Sequence, residues 1–160
     1  DSALRLRDEF GFTLWLDSGA ESYLIADRLA ELDIPVLVHP PMARAWGGGE
    51  LVNMSMTTPA VLADAGVTVA MQSGFEAYVP KVRVVLFEAA IAAANGLGFD
   101  RALESITITP ARMLGVDGRV GSIEPGKDGD LALYDGDPFE YTTHCVATVI
   151  EGVVVSDTPN

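Results

Sequence analysis

The stretch Gly121-Ser-Ile-Glu-Pro-Gly-Lys-Asp-Gly-Asp-Leu-Ala-Leu-Tyr-Asp-Gly-Asp-Pro-Phe139 decides how the chain is read, because it holds two short strands with turn chemistry packed between them. Pro125-Gly126 suits the centre of a type II turn, since proline presets φ and glycine supplies the positive φ that follows. Ile123 closes the first strand on this reading. Leu131-Ala-Leu-Tyr134 runs on as the second, and Gly136 with Asp137-Pro138 breaks it. Just upstream, Ile108-Thr-Pro-Ala-Arg-Met-Leu-Gly115 reads as a short helix, with Thr109 as N-cap, Pro110 at the first helical position and Gly115 at the C-terminal end.

Outward from there, the pattern changes from strand and turn to alternating strands and helices. Residues 1–10 predict a helix with Ala3, Leu6 and Phe10 as one apolar stripe and Leu4 beside it. Residues 12–16 predict a strand buried on both faces, and residues 20–32 a helix facing inward through Tyr23, Leu24, Ala26, Leu29 and Ala30. A second strand follows at 34–38, then a long irregular segment at 40–56 with Trp46 and the run Gly47-Gly48-Gly49. That segment has no Lys-Ser/Thr after its glycines and no strand directly before them, so it is read as a lid or plain loop and not a phosphate cradle. Thr57-Thr58-Pro59 opens a third helix ending at Gly66, and 67–71 is a third strand. Residues 72–79 are its exit loop, 80–95 a helix with Val82, Val85, Leu86, Ala89 and Ala93 inward, and 100–105 another short helix. Near the end, 146–150 and 153–155 predict a hairpin turning on Glu151-Gly152.

Three strand–helix units followed by an all-β tail imply a parallel sheet and then an antiparallel one. The ordered set Thr109-Pro-Ala-Arg-Met-Leu-Gly through Gly121-Ser-Ile-Glu-Pro-Gly-Lys-Asp-Gly-Asp-Leu resembles the C-terminal region of the metal-dependent amidohydrolase superfamily, in its imidazolonepropionase-like and Xaa-Pro dipeptidase-like branch. The resemblance implies an α/β fold: the last three βα units of a TIM-type (β/α)8 barrel at 1–115, then part of a small β-sandwich at 116–160. Three parallel strands cannot close such a barrel. The expected partner is therefore the missing N-terminal half of the barrel or another copy of this chain, and a homo-oligomer is expected. Without that cover an unpaired strand edge and the apolar inner layer of the barrel face water.

Barrel enzymes place chemistry at the C-terminal ends of their strands, which here are Asp17-Ser18, Val38-His39 and Gln72-Ser73-Gly74. The resemblance implies C–N bond hydrolysis, of an amide, a cyclic amide or a dipeptide, with zinc or another divalent metal as cofactor. It also implies a histidine ligand where this chain has Ser18 and an aspartate where it has Gly74. A serine hydroxyl is a poor zinc ligand and glycine has no side chain. The expectation is thus no metal held by this chain, and an alternative reading as a metal-less, catalytically inactive relative serving as a binding or assembly module.

Catalytic candidates are His39 and Asp17. A strand-end histidine also commonly bonds a loop carbonyl, and a strand-end aspartate commonly caps a turn. Substrate-binding candidates are Glu21, His39, Gln72, Glu76 and Tyr78, with Lys81 and Arg83 as further charges near the same rim. The His144-Cys145 pair is discounted as a nucleophile, because neighbours in a strand face apart. A lone cysteine leaves the redox compartment open.

Net charge is −13, and 49% of residues are hydrophobic. The chain can bury a core, and its charge repels phosphate backbones and anionic lipid, so a small-molecule substrate is expected and not nucleic acid or a membrane. No run is apolar enough to span a bilayer, and no signal peptide is read. The compartment is open, with the cytoplasm slightly favoured.

Overall fold

The computed structural model describes residues 1–38, 52–76, 79–80 and 84–157. Three short strands, β1 (Leu16–Asp17), β2 (Val36–Val38) and β3 (Val69–Met71), form a parallel sheet in the order β1-β2-β3. The register sets Leu16 beside Val36 beside Val69, and Asp17 beside Leu37 beside Ala70. Alternation along each strand therefore sorts the sheet into two faces. One face, carrying Leu16, Val36, Val38, Val69 and Met71, packs into the main core with Leu4, Leu29, Leu62, Ala89, Ala92, Leu97 and Ala102 from the helices. The other carries Asp17, Leu37, Ala70 and, two residues on, Gln72.

The helices are α1 (Ser2–Phe10), α2 (Ala26–Glu31), α3 (Thr58–Asp64), α4 (Val85–Ala92), α5 (Phe99–Ser105) and α6 (Ile108–Met113). Several differ from the sequence reading. In α1 only Leu4 is buried, whereas Leu6 and Phe10 (68% exposed) face away from the core. The helix predicted over 20–32 is split: a tighter turn at Ser22–Ile25 precedes α2, and the Ser22 hydroxyl donates to the Gly19 carbonyl at 2.6 Å. Leu24 is exposed as a result, while Ala26 and Leu29 are buried. The strand predicted at 12–16 shrinks to two residues with Phe12 and Trp15 exposed; among the described residues β1 has a neighbour on one side only.

After β3 the chain does not run as a plain loop into a helix. Phe75–Glu76 (β4) pairs antiparallel with Val79–Pro80 (β5), and α4 begins only at Val85. Proline at a strand end loses no ladder bond, which removes it from the helix it was predicted to open. Val82 lies outside the described residues. The helix at 108 also starts earlier than predicted, with Thr107 as its N-cap and Thr109 and Pro110 inside its first turn.

The tail forms an antiparallel sheet of β6 (Leu131–Tyr134), β7 (Cys145–Ile150) and β8 (Val153–Ser156). Glu151 (φ 50°) and Gly152 (φ 77°) make the tight β7–β8 turn, both in the left-handed region that such two-residue turns require. Pro125-Gly126 turns as predicted, with Gly126 at φ 93° and the Lys127 amide donating to the Glu124 carbonyl at 3.2 Å. No strand forms up to Ile123, however; residues 114–130 are turns and irregular chain.

What the motif does instead is packing. Gly121 lies so close to α6 that an added Cβ would sit 2.8 Å from the Ala111 Cβ and 2.9 Å from the Ile108 Cα. Asp130 accepts the Glu151 amide at 2.8 Å and the Gly129 carbonyl accepts the Gly152 amide at 3.0 Å, so Gly129-Asp130 grips the hairpin turn. No helix among the described residues is long and apolar enough to cross a membrane.

Candidate functional site

Among the described residues, polar side chains at the C-terminal ends of the parallel strands come from the end of β1 and from the residue after β3. Asp17 ends β1 and Ser18 follows it at φ 59°, a left-handed conformation that costs a non-glycine residue about 1 kcal/mol or more. The Ser18 amide donates to the Asp17 side chain, which accepts it through Oδ1 at 2.8 Å. Gly19 then passes against β2: its amide donates to the Leu37 carbonyl at 3.3 Å, and a Cβ there would stand 2.6 Å from Val36 Cγ1. Only glycine fits, so the backbone holding Asp17 and Ser18 is fixed from behind.

Gln72 reaches the same point from β3. Its Nε2 lies 2.6 Å from Asp17 Oδ1 and 3.3 Å from Ser18 Oγ. A carboxylate can only accept, so the amide nitrogen must face Asp17 and the amide oxygen Oε1 must face away. Residues 55 apart in sequence thus close a clasp across the intervening strand β2.

Glu21 and Tyr23 lie beside this corner and hold the chain re-entering at residue 52. Glu21 Oε1 accepts the Asn53 amide, and the Tyr23 hydroxyl donates to the Asn53 carbonyl, both at 2.9 Å. Buried Thr58 adds a bond from Oγ1 to the Ala20 carbonyl at 3.3 Å. Of the residues singled out from sequence, Asp17, Ser18 and Gln72 are brought together and Glu21 is tied to a loop backbone. Gly74 follows at φ 75°, and Glu76 lies in β4 opposite Val79. His39, Trp46, Gly47 to Gly49, Tyr78, Lys81 and Arg83 lie outside the described residues.

His144 and Cys145 do part company. The His144 ring meets Asp135, Nδ1 to Oδ2 3.3 Å, while Cys145 Sγ is 3.4 Å from the Ala147 carbonyl. Hydrogen bonding from the His144 amide above all, with help from its ring, holds the Asp135 carboxyl below the usual range. Cys145 stands opposite Tyr134, whose hydroxyl is pushed up, chiefly by burial.

Two residues were missed in the sequence. Asn53 sits in a stretch read as irregular, and it acts through its backbone, which carries no residue signature. Glu88 is 1% exposed in α4, where a single acid among Val, Leu, Phe and Ala was the available signal.

The corner does not fit a divalent cation. Asp17 Oδ1 is taken by two N–H donors, which leaves Oδ2 as the corner's one free carboxylate oxygen, a single donor where a divalent cation needs several. Ser18 offers a hydroxyl and Gly74 nothing. Among the described residues no three His, Cys, Asp or Glu side chains gather as a metal centre.

Residues 47–156 match a family model described as the amidohydrolase family. An N-substituted formamide deformylase of Arthrobacter pascens is 28% identical over 149 residues, covering 79% of this chain and 28% of that protein. An imidazolonepropionase of Picrophilus torridus is 36% identical over 70 residues, 40% of this chain and 18% of that protein. The chain thus spans less than a third of either curated relative. A crystal structure of an amidohydrolase from Thermotoga maritima superposes with a TM-score of 0.88 at 36% identity, covering 98% of this chain and 40% of that one. Atrazine chlorohydrolase from Arthrobacter aurescens, complexed with zinc, shares the fold at a TM-score of 0.68 and 20% identity, over 98% of this chain and 40% of that one.

Proposed function

Since the chain belongs to the amidohydrolase family, we propose that the polypeptide carrying it hydrolyses a C–N bond in an amide, a cyclic amide or a dipeptide. On this reading, residues 1–115 are the closing three strand–helix units of a barrel and residues 116–160 are part of the β-sandwich beside it. The observation that carries it is the convergence of Asp17, Ser18 and Gln72 at the C-terminal ends of parallel strands, where barrels hold their substrates. The remaining wall comes from an N-terminal half in the same or another polypeptide, or from a second copy. Exposed Phe10, Phe12 and Trp15, from the end of α1 and the approach to β1, support such a cover. An open cleft of 720 Å³, lined by Arg7, Asp8 and Asp33 as well as Phe12, Trp15 and Ile34, lies at the entry end of the strands, away from the polar corner.

In the reaction, a water oxygen adds to the carbonyl carbon, the C–N bond breaks and the leaving nitrogen takes a proton. A divalent cation, where a family member holds one, activates the water and polarises the carbonyl. This chain's corner does not fit that ion, so its own residues are assigned binding and orientation: Gln72 fixes the Asp17 carboxylate, and Glu21 and Tyr23 fix the loop beside it. The Asp17–Gln72 bond also favours a second reading, a retained scaffold that binds such molecules without hydrolysing them. Turnover of a panel of N-formyl amines, cyclic amides and dipeptides by the purified polypeptide tests the choice. Hydrolysis of any class supports the first reading; saturable binding without turnover establishes the second.

A further inference from the structure

With Gln72 oriented by chemistry, the free atoms of the corner are known. Asp17 Oδ1 is occupied twice, by the Ser18 amide and by Gln72 Nε2. That leaves Asp17 Oδ2 and Gln72 Oε1 as acceptors with no protein partner among the described residues, and the Ser18 hydroxyl proton as a donor. Asp17 and Ser18 are exposed and Gln72 is half-buried, so the groups are reachable. A carboxylate oxygen and an amide oxygen side by side, both on the face that carries Leu37 and Ala70, reject an anion and match a group that donates N–H bonds.

We propose that Asp17, Ser18 and Gln72 form a metal-independent recognition corner for a ligand nitrogen bearing N–H, a protonated amine above all. The proposal rests on the reading of this strand end as a ligand site and adds the chemical class of the group bound there.

The test uses the polypeptide labelled with nitrogen-15, in EDTA, titrated with benzylamine or benzyltrimethylammonium. The two share an aromatic ring and one positive charge, but only benzylamine carries N–H. The expected result is a saturable shift of the Gln72 side-chain amide resonances with benzylamine and none with the trimethyl compound. Asp17→Asn weakens benzylamine about tenfold and Gln72→Leu by a similar factor, loss of one charge-assisted hydrogen bond amounting to roughly a factor of ten. Unchanged backbone resonances elsewhere establish that the variants fold, and Asp17→Asn, which keeps the side-chain shape, stands in if Gln72→Leu does not. Equal shifts from both compounds, a requirement for zinc, or no response to either overturns the proposal. Hydrolysis of the amide panel is scored separately: turnover with a silent Gln72 sinks the corner alone, and a responsive Gln72 without turnover sinks the hydrolytic reading alone.

Discussion

The parallel sheet and the antiparallel sheet are made from equally apolar strands, yet they differ in what covers them. Val36, Val38 and Val69 are buried, whereas Val153, Val154 and Val155 are all more than half exposed, Val154 at 59%. The difference lies in the connections. Parallel neighbours need a crossover, and here the crossovers carry helices that fold back over the sheet, so the cover is encoded between the strands. The β7–β8 hairpin turns in two residues and brings no cover with it. Apolar strand residues therefore bury themselves in the first region and stay exposed in the other.

The sharpest way to break this contrast is truncation in each region. Leu29→Ala, at a fully buried position of the core, is expected to lower stability by about 2–5 kcal/mol in urea unfolding. Next comes Gly121→Ala, which must push α6 away and hold alanine at φ 92°; about 1–3 kcal/mol is expected in the same assay. Gln72→Ala removes one charge-assisted bond at a partly exposed site, and a loss of about 1 kcal/mol is expected from its melting temperature.

Val154→Thr is expected to change the stability of this chain by less than about 0.5 kcal/mol. A loss several times larger, measured in the polypeptide that carries the chain, would show that a second layer is seated on β8. The smallest effect belongs to pH. Asp135 has its folded pKa depressed, so its contribution is present above the unfolded value near pH 4 and is lost as pH falls through the folded one. Asp135→Asn should therefore lower stability slightly at neutral pH, flatten the acid limb of the profile, and leave stability below the folded pKa unchanged.

Much of this was legible in the chain. The runs at 34–38, 67–71 and 131–134, the Pro125-Gly126 turn and the Glu151-Gly152 hairpin are local signals, and they appear where local chemistry puts them. What failed was information that depends on neighbours. Leu6 and Phe10 make a helical stripe whether or not anything packs on it, and β1, paired on one side only among the described residues, is shorter than its apolar run. Asp17 and Gln72 were each assigned to a strand end, but their contact depends on the register across β2, which no local pattern fixes. Buried Glu88 is the same kind of miss, since its burial is decided by the elements around α4.

Zinc-edge anomalous diffraction from crystals of the polypeptide grown with zinc tests the corner most directly. No anomalous peak is expected within bonding distance of Asp17, about 2.0–2.2 Å for a carboxylate oxygen, with Gln72 Nε2 still against Asp17 Oδ1. A zinc ion ligated by Asp17, with Gln72 turned aside or presenting its oxygen, would contradict the account.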